Sequence, residues 1–133
     1  MLTLLDQLAP LLPELAARAA EMEEARRLPA DLAAKLAAAG AFRMVTPKSL
    51  GGLELSPREI VEVTEAAARA NASAGWCVMI AATTALNAAY MAPEHAQKVY
   101  ADPLTITGGV FAPMCKAVVE GENYRVTGRW QWV

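Results

Sequence analysis

From Ala72 to Ala92 the chain carries no charged side chain, and alanine is its commonest residue. A helix that is apolar nearly all round cannot stand alone in water, so neighbouring elements must cover it. Ser73, Thr83, Thr84 and Asn87 interrupt the run, and the alanines are small, which makes it a poor membrane span. The reading is a buried helix at the centre of a bundle, and the rest of the chain must supply that bundle.

The flanking sequence does so in order. Leu4, Leu5, Leu8, Leu11, Leu12 and Leu15 recur at three- and four-residue spacing, with Glu14, Arg18, Glu21, Glu24 and Arg27 on other faces. This predicts an amphipathic helix whose first turns are interrupted by Pro10 and Pro13. Pro29 suits a first helical position; Leu32, Leu36 and Ala39 form the stripe of a second helix, and Gly40 ends it. An apolar connector over Ala41 to Pro47 leads to Gly51-Gly52, a pair free to take positive φ in a tight turn. Ser56-Pro57-Arg58-Glu59 is a capping box with proline at its first helical position, predicting a helix to about Ala70. Asn71-Ala72-Ser73 breaks that helix and caps the next. Pro93-Glu94 opens a short helix that Asp102-Pro103 stops.

From Thr105 the texture turns to β. Thr105-Ile106-Thr107 leads to Gly108-Gly109; Lys116 to Val119 and Tyr124 to Val126 then flank the turn formers Glu120-Gly121-Glu122-Asn123, which predicts a hairpin. The last residues, Trp130-Gln131-Trp132-Val133, read as a strand with no later sequence to cover its aromatics, so the chain is expected to be part of a longer protein.

Several classes of function are disfavoured. A formal charge of −2 and the lack of a Lys/Arg stripe argue against a nucleic-acid partner. No basic segment precedes an apolar one at the start, so the expected compartment is the cytoplasm, without a membrane. Cys77 and Cys115 are far apart and outside any C-x-x-C pair, which argues against a metal knuckle or a disulfide framework. His95, the single histidine, reads as a surface residue, and the carboxylates decorate helix faces. No catalytic acid, base or nucleophile and no metal ligand is assigned.

Trp76, Thr83 and Asn87 are spaced so that an α-helix returns them to nearly one face, which can offer polar groups to a small-molecule substrate. The alternative is that Trp76 fills the bundle core and Asn87 bonds a neighbouring backbone.

The motif order carries a resemblance. L-P-x-x-L-x-x-x-L-x-x-A-G over Leu28 to Gly40, G-G-x-x-L-S over Gly51 to Ser56, A-R-A-N-A-S from Ala68, and P-E-H-A-Q-K over Pro93 to Lys98 together resemble amino-terminal domains of the acyl-CoA dehydrogenase superfamily. The resemblance implies a mainly α fold: a helical domain over residues 1–103, then the first strands of a truncated middle β domain over 104–133. It also implies a flavin cofactor, FAD or FMN. Dehydrogenases of the superfamily usually carry T-E-P followed by G-x-G-S-D, where this chain has Phe111-Ala112-Pro113-Met114-Cys115. Gly108 to Pro113, with Tyr124 to Trp130, is more similar to the two-component flavin monooxygenases, whose reduced flavin comes from a separate reductase.

On that resemblance Phe111, Ala112, Trp130 and Trp132 are the candidate flavin-side residues, although alternating strand aromatics also serve as ordinary packing. The residue that takes the substrate proton is expected in a carboxy-terminal helical domain, and relatives of this kind form homotetramers. The implied function is a monooxygenase component that hydroxylates a small aromatic or apolar substrate. The alternatives are FAD-dependent oxidation of an acyl-CoA thioester and, from another class, a non-catalytic helical interaction module.

Overall fold

The chain builds its bundle around a helix pair that is joined by one residue. In the computed structural model, which describes residues 2–130, α5 (Pro57–Ala70) and α6 (Ala72–Thr84) flank Asn71. Asn71 is extended, and its side-chain oxygen accepts from the Ala74 amide at 3.0 Å, so the residue that ends α5 also starts α6. Ser56 and Glu59 form the expected capping box at the head of α5. The two helices approach closely because Gly75 faces Ala68: a Cβ at Gly75 would lie 2.6 Å from the Ala68 Cα.

The amino-terminal leucines form three short helices instead of one, α1 (Leu4–Leu8), α2 (Leu12–Ala17) and α3 (Ala19–Ala25). Pro13 is tolerated only in the first turn of α2, where no amide donor is needed, so the α1 winding has to stop before it. Leu4, Leu8, Leu15 and Met22 nevertheless keep to one side and are buried. Helix α4 (Ala30–Ala39) adds Leu32 and Leu36 to the same core, with Pro29 as its N-cap rather than its first helical residue. It ends on Gly40 at φ 91°, a left-handed position that glycine takes without a Cβ clash.

The connector after α4 is ordered by a buried arginine. Short 3-10 turns occupy Ala41–Arg43 and Lys48–Leu50, and Gly51 takes φ 75° as the spacing predicts. Arg43 is only 6% exposed, and its guanidinium donates to the carbonyls of Leu50 at 2.9 Å, Tyr100 at 3.0 Å and Asp102 at 2.5 Å. It also lies 5.6 Å from the centre of the Tyr100 ring. These bonds tie the connector to the end of α7 (Pro93–Val99).

Helix α6 departs from the expectation of burial on all sides. Val78, Ala81 and Ala82 are buried toward the bundle, yet Trp76 on the opposite side is 59% exposed. Composition set how apolar the helix is; the elements around it cover only one flank. Beyond Thr84 the winding tightens to 3-10 over Ala85–Tyr90. By length and composition alone Ala72–Tyr90 could cross a membrane, but its buried flank packs against α5 within the bundle.

After Tyr100 the chain is irregular to Met114; Thr105 to Thr107 form no strand, because no partner strand runs beside them among the described residues. The predicted hairpin follows as β1 (Cys115–Glu120) and β2 (Asn123–Gly128), antiparallel, with Val118 opposite Arg125. Every hairpin residue is exposed, including Val119 and Tyr124.

Candidate functional site

The uncovered flank of α6 faces a groove. Its first part, about 560 Å³, lies between the end of α3, with Arg26, Arg27 and Leu28, and the first turns of α6, with Trp76 and Cys77. A second part of about 390 Å³ shares those five residues and continues to Ile80 and to the segment from Ile106 to Gly109.

That segment is held onto α6 by small contacts. The Thr107 hydroxyl lies 3.5 Å from the Ala81 carbonyl and 3.5 Å from the Tyr100 hydroxyl. Gly109 lies so near Thr84 that a Cβ there would be 3.1 Å from the Thr84 methyl. The Thr84 hydroxyl is itself buried without a hydrogen-bond partner among the described residues. From Ile106 to Ala112 no backbone N–H donates to a protein acceptor among the described residues, so the segment presents free donors beside its paired glycines.

The opposite rim is fixed by an ion network. Arg18, between α2 and α3, donates to Glu21 at 2.7 Å and to Asp31 of α4 at 2.5 Å, while Lys35 of α4 reaches Glu14 of α2 at 2.7 Å. Hydrogen bonds from Lys35 hold the Glu14 carboxyl below its ordinary range, and those from Arg18 do the same for Glu21 and Asp31. The network ties the start of α3 to α4, on either side of the turn that carries Arg26 and Arg27. Within the groove, burial pushes the Cys77 thiol up from its ordinary pKa, so it is a neutral lining group at pH 7.

The structure gathers only some of the residues singled out in the sequence. Trp76 lines both parts of the groove, opposite Gly108 and Gly109. Thr83 is exposed on α6, and its hydroxyl turns back to the Met79 carbonyl at 2.8 Å. Asn87 is exposed but falls in the 3-10 stretch; at roughly 120° per residue instead of 100° it swings away from the Trp76–Thr83 line. Phe111 is 86% exposed, Ala112 is exposed beside it, and Trp130 is 40% exposed; none of them lines the groove. Trp132 lies outside the described residues. Among those residues no cluster of three or more His, Cys, Asp or Glu could hold a metal ion.

The sequence marked Arg27 only as part of a polar helix face and Arg26 not at all. Glu23 and Arg27 have the spacing of a paired helix face, but α3 ends at Ala25, and neither arginine forms an ion pair among the described residues.

Comparison with known proteins bears on the site. The family described as acyl-CoA dehydrogenase, N-terminal domain, matches residues 11–108. The pigment production hydroxylase of Rhodococcus erythropolis is 32% identical over 129 residues, which is 96% of this chain and 33% of that protein. An FADH(2)-dependent resorcinol hydroxylase, oxygenase component, from Rhizobium sp. (strain MTP-10005) is 36% identical over 115 residues, 84% of this chain and 28% of that protein. The crystal structure of 3-HSA hydroxylase from Rhodococcus sp. RHA1 superposes with a TM-score of 0.92 at 30% identity, covering 97% of this chain and 34% of that one. The chain thus spans about a third of the length of the relatives it matches.

Proposed function

Because the chain belongs to the acyl-CoA dehydrogenase N-terminal-domain family, we propose that it is the amino-terminal part of the oxygenase component of a flavin-dependent monooxygenase that hydroxylates small aromatic substrates. One observation carries the choice of branch. The likeness to the Rhodococcus hydroxylase runs over 96% of the chain and so beyond the helical domain, into the residues where Phe111-Ala112-Pro113-Met114-Cys115 replaces the dehydrogenase pattern. Residues 1–103 are the helical domain in this reading, and 104–133 begin the β domain. The whole protein is a cytoplasmic homotetramer.

The residues present suit a flavin. Gly108 has open space where a Cβ would stand, and the neighbouring amides are unpaired donors, so the backbone from Gly108 to Ala112 can approach a flat ring and donate to the acceptors at its edge. Phe111 and Trp130 would border that ring from the β side, and Trp132 stays a candidate for the same role from the resemblance alone. Bound reduced flavin, delivered by a separate reductase, supplies the electrons that activate oxygen. This chain's own contribution is to the substrate: the apolar walls of Trp76, Ile80 and Ile106 shield the ring from water and orient it.

The full-length enzyme separates this reading from acyl-CoA oxidation. Reduced flavin, oxygen and a phenol should give a hydroxylated product, with no turnover of acyl-CoA in the presence of an electron acceptor. Acyl-CoA turnover without oxygen-dependent hydroxylation would sink the proposal.

A further inference from the structure

Arg26 and Arg27 stand at the rim of a mainly apolar groove, and two features set them apart. Both line the two parts of the groove with Trp76, and neither is neutralised by an ion pair among the described residues, whereas Arg18, Arg58 and Arg69 each have a carboxylate. In addition, Arg26 closes α3 in the left-handed region at φ 50°, where α4 uses Gly40 for the same task. A Cβ is unfavourable there, so a glycine would serve the backbone better than arginine does. The local fold gives no reason for a guanidinium at that position; the groove does.

We propose that this groove is the binding site for an aromatic anion, a ring bearing a carboxylate or a similarly acidic oxygen. The aromatic part of this assignment rests on the function proposed above; the anionic part rests on the arginines alone. Trp76 offers an indole and Leu28 and Ile80 an apolar wall to a planar ring. The guanidinium groups present planar, forked donors that match a carboxylate geometrically. Glu23 is the one acidic residue on the groove, and it lines only the part away from Gly108 and Gly109. The charged end therefore sits toward α3 and the ring between Trp76 and Gly108-Gly109, where the unpaired amides of the β side begin. The arginines act as specificity-determining residues that hold the ring by its acidic substituent and leave its other edge toward those amides.

Titration calorimetry of the full-length protein tests this with meta-hydroxybenzoate and its neutral counterpart meta-hydroxybenzamide. The acid should bind at least about tenfold more tightly, the margin of a charge-assisted hydrogen bond over a neutral one. In the double variant Arg26→Gly/Arg27→Gln that ratio should fall below about twofold. The melting temperature should stay level or rise, because glycine relieves the left-handed backbone. Equal binding of acid and amide by the parent protein overturns the inference, as does a ratio unchanged in the variant. A variant that melts well below the parent would show the arginines to be structural and also overturns it. Binding of neither probe means that another part of the chain fills the groove, and the inference falls in that case too. Hydroxylation of the amide, followed in parallel, reports separately on the proposed function: turnover of the amide with no acid preference leaves that function standing and removes only the anion site.

Discussion

Replacing Gly75 by alanine tests whether α6, and with it Trp76 and the groove, is positioned by close contact with α5. The new Cβ would lie 2.6 Å from the Ala68 Cα and 2.6 Å from its Cβ. That is about 1 Å inside ordinary carbon contact. The atoms it meets belong to a backbone and to a methyl that cannot rotate away, so the whole of α6 has to move. Overpacking of this kind costs about 1–3 kcal/mol, and the rigid neighbour places it toward the upper end. Alanine's better helix propensity returns about 1 kcal/mol. The net destabilisation is therefore about 1–2 kcal/mol, a fall in melting temperature of roughly 3–8 °C for a chain of this size. Gly108→Ala is the control, because open space surrounds the position of its Cβ, and its stability should match or slightly exceed that of the parent. Denaturant unfolding followed by circular dichroism measures both. If Gly75→Ala is as stable as Gly108→Ala, contact with Ala68 does not set the helix spacing.

Other perturbations reach other joints of the structure. Arg43→Met strips three carbonyls, of Leu50, Tyr100 and Asp102, of their donor and should cost about 2–4 kcal/mol in denaturant unfolding; an unchanged midpoint would show that water replaces the guanidinium. Ser56→Ala removes the oxygen that accepts from the Glu59 amide and should cost about 1 kcal/mol, measured in the same way. Glu14, Glu21 and Asp31 have carboxyl pKa values lowered by Lys35 and Arg18, so their contribution is complete above the ordinary carboxylate range and is lost as pH falls through the depressed values. The unfolding midpoint should accordingly drop below about pH 4, and the drop should be smaller in Arg18→Gln, which already lacks the main partner of Glu21 and Asp31.

What the sequence revealed and what it hid follow from the range of the interactions. The Ser56–Glu59 capping box, the stop at Gly40 and the hairpin around Gly121 are local, each decided within four or five residues, and all three stand in the structure. Arg43 lay in what read as an apolar connector; two of its acceptors are 57 and 59 residues away, and no local pattern announces such bonds. Thr105 to Thr107 have β-forming side chains, but a strand needs a partner as well as a propensity. The groove was half legible. Trp76 was marked by its place on an apolar helix, whereas Arg27 looked like the solvated face of a helix that in fact ends at Ala25, and Arg26 carried no mark at all. The reading of Thr83 and Asn87 as one face assumed uniform α winding, which the 3-10 stretch from Ala85 to Tyr90 interrupts.

The central claim, that this chain is the front part of a flavin-dependent hydroxylase, is tested most directly by following oxygen atoms. The full-length enzyme, supplied with reduced flavin, isotopically labelled oxygen gas and a phenolic acid, should place one labelled oxygen atom on the ring of the product. A hydroxylated product carrying oxygen from water, or no ring product while acyl-CoA is oxidised, would contradict it.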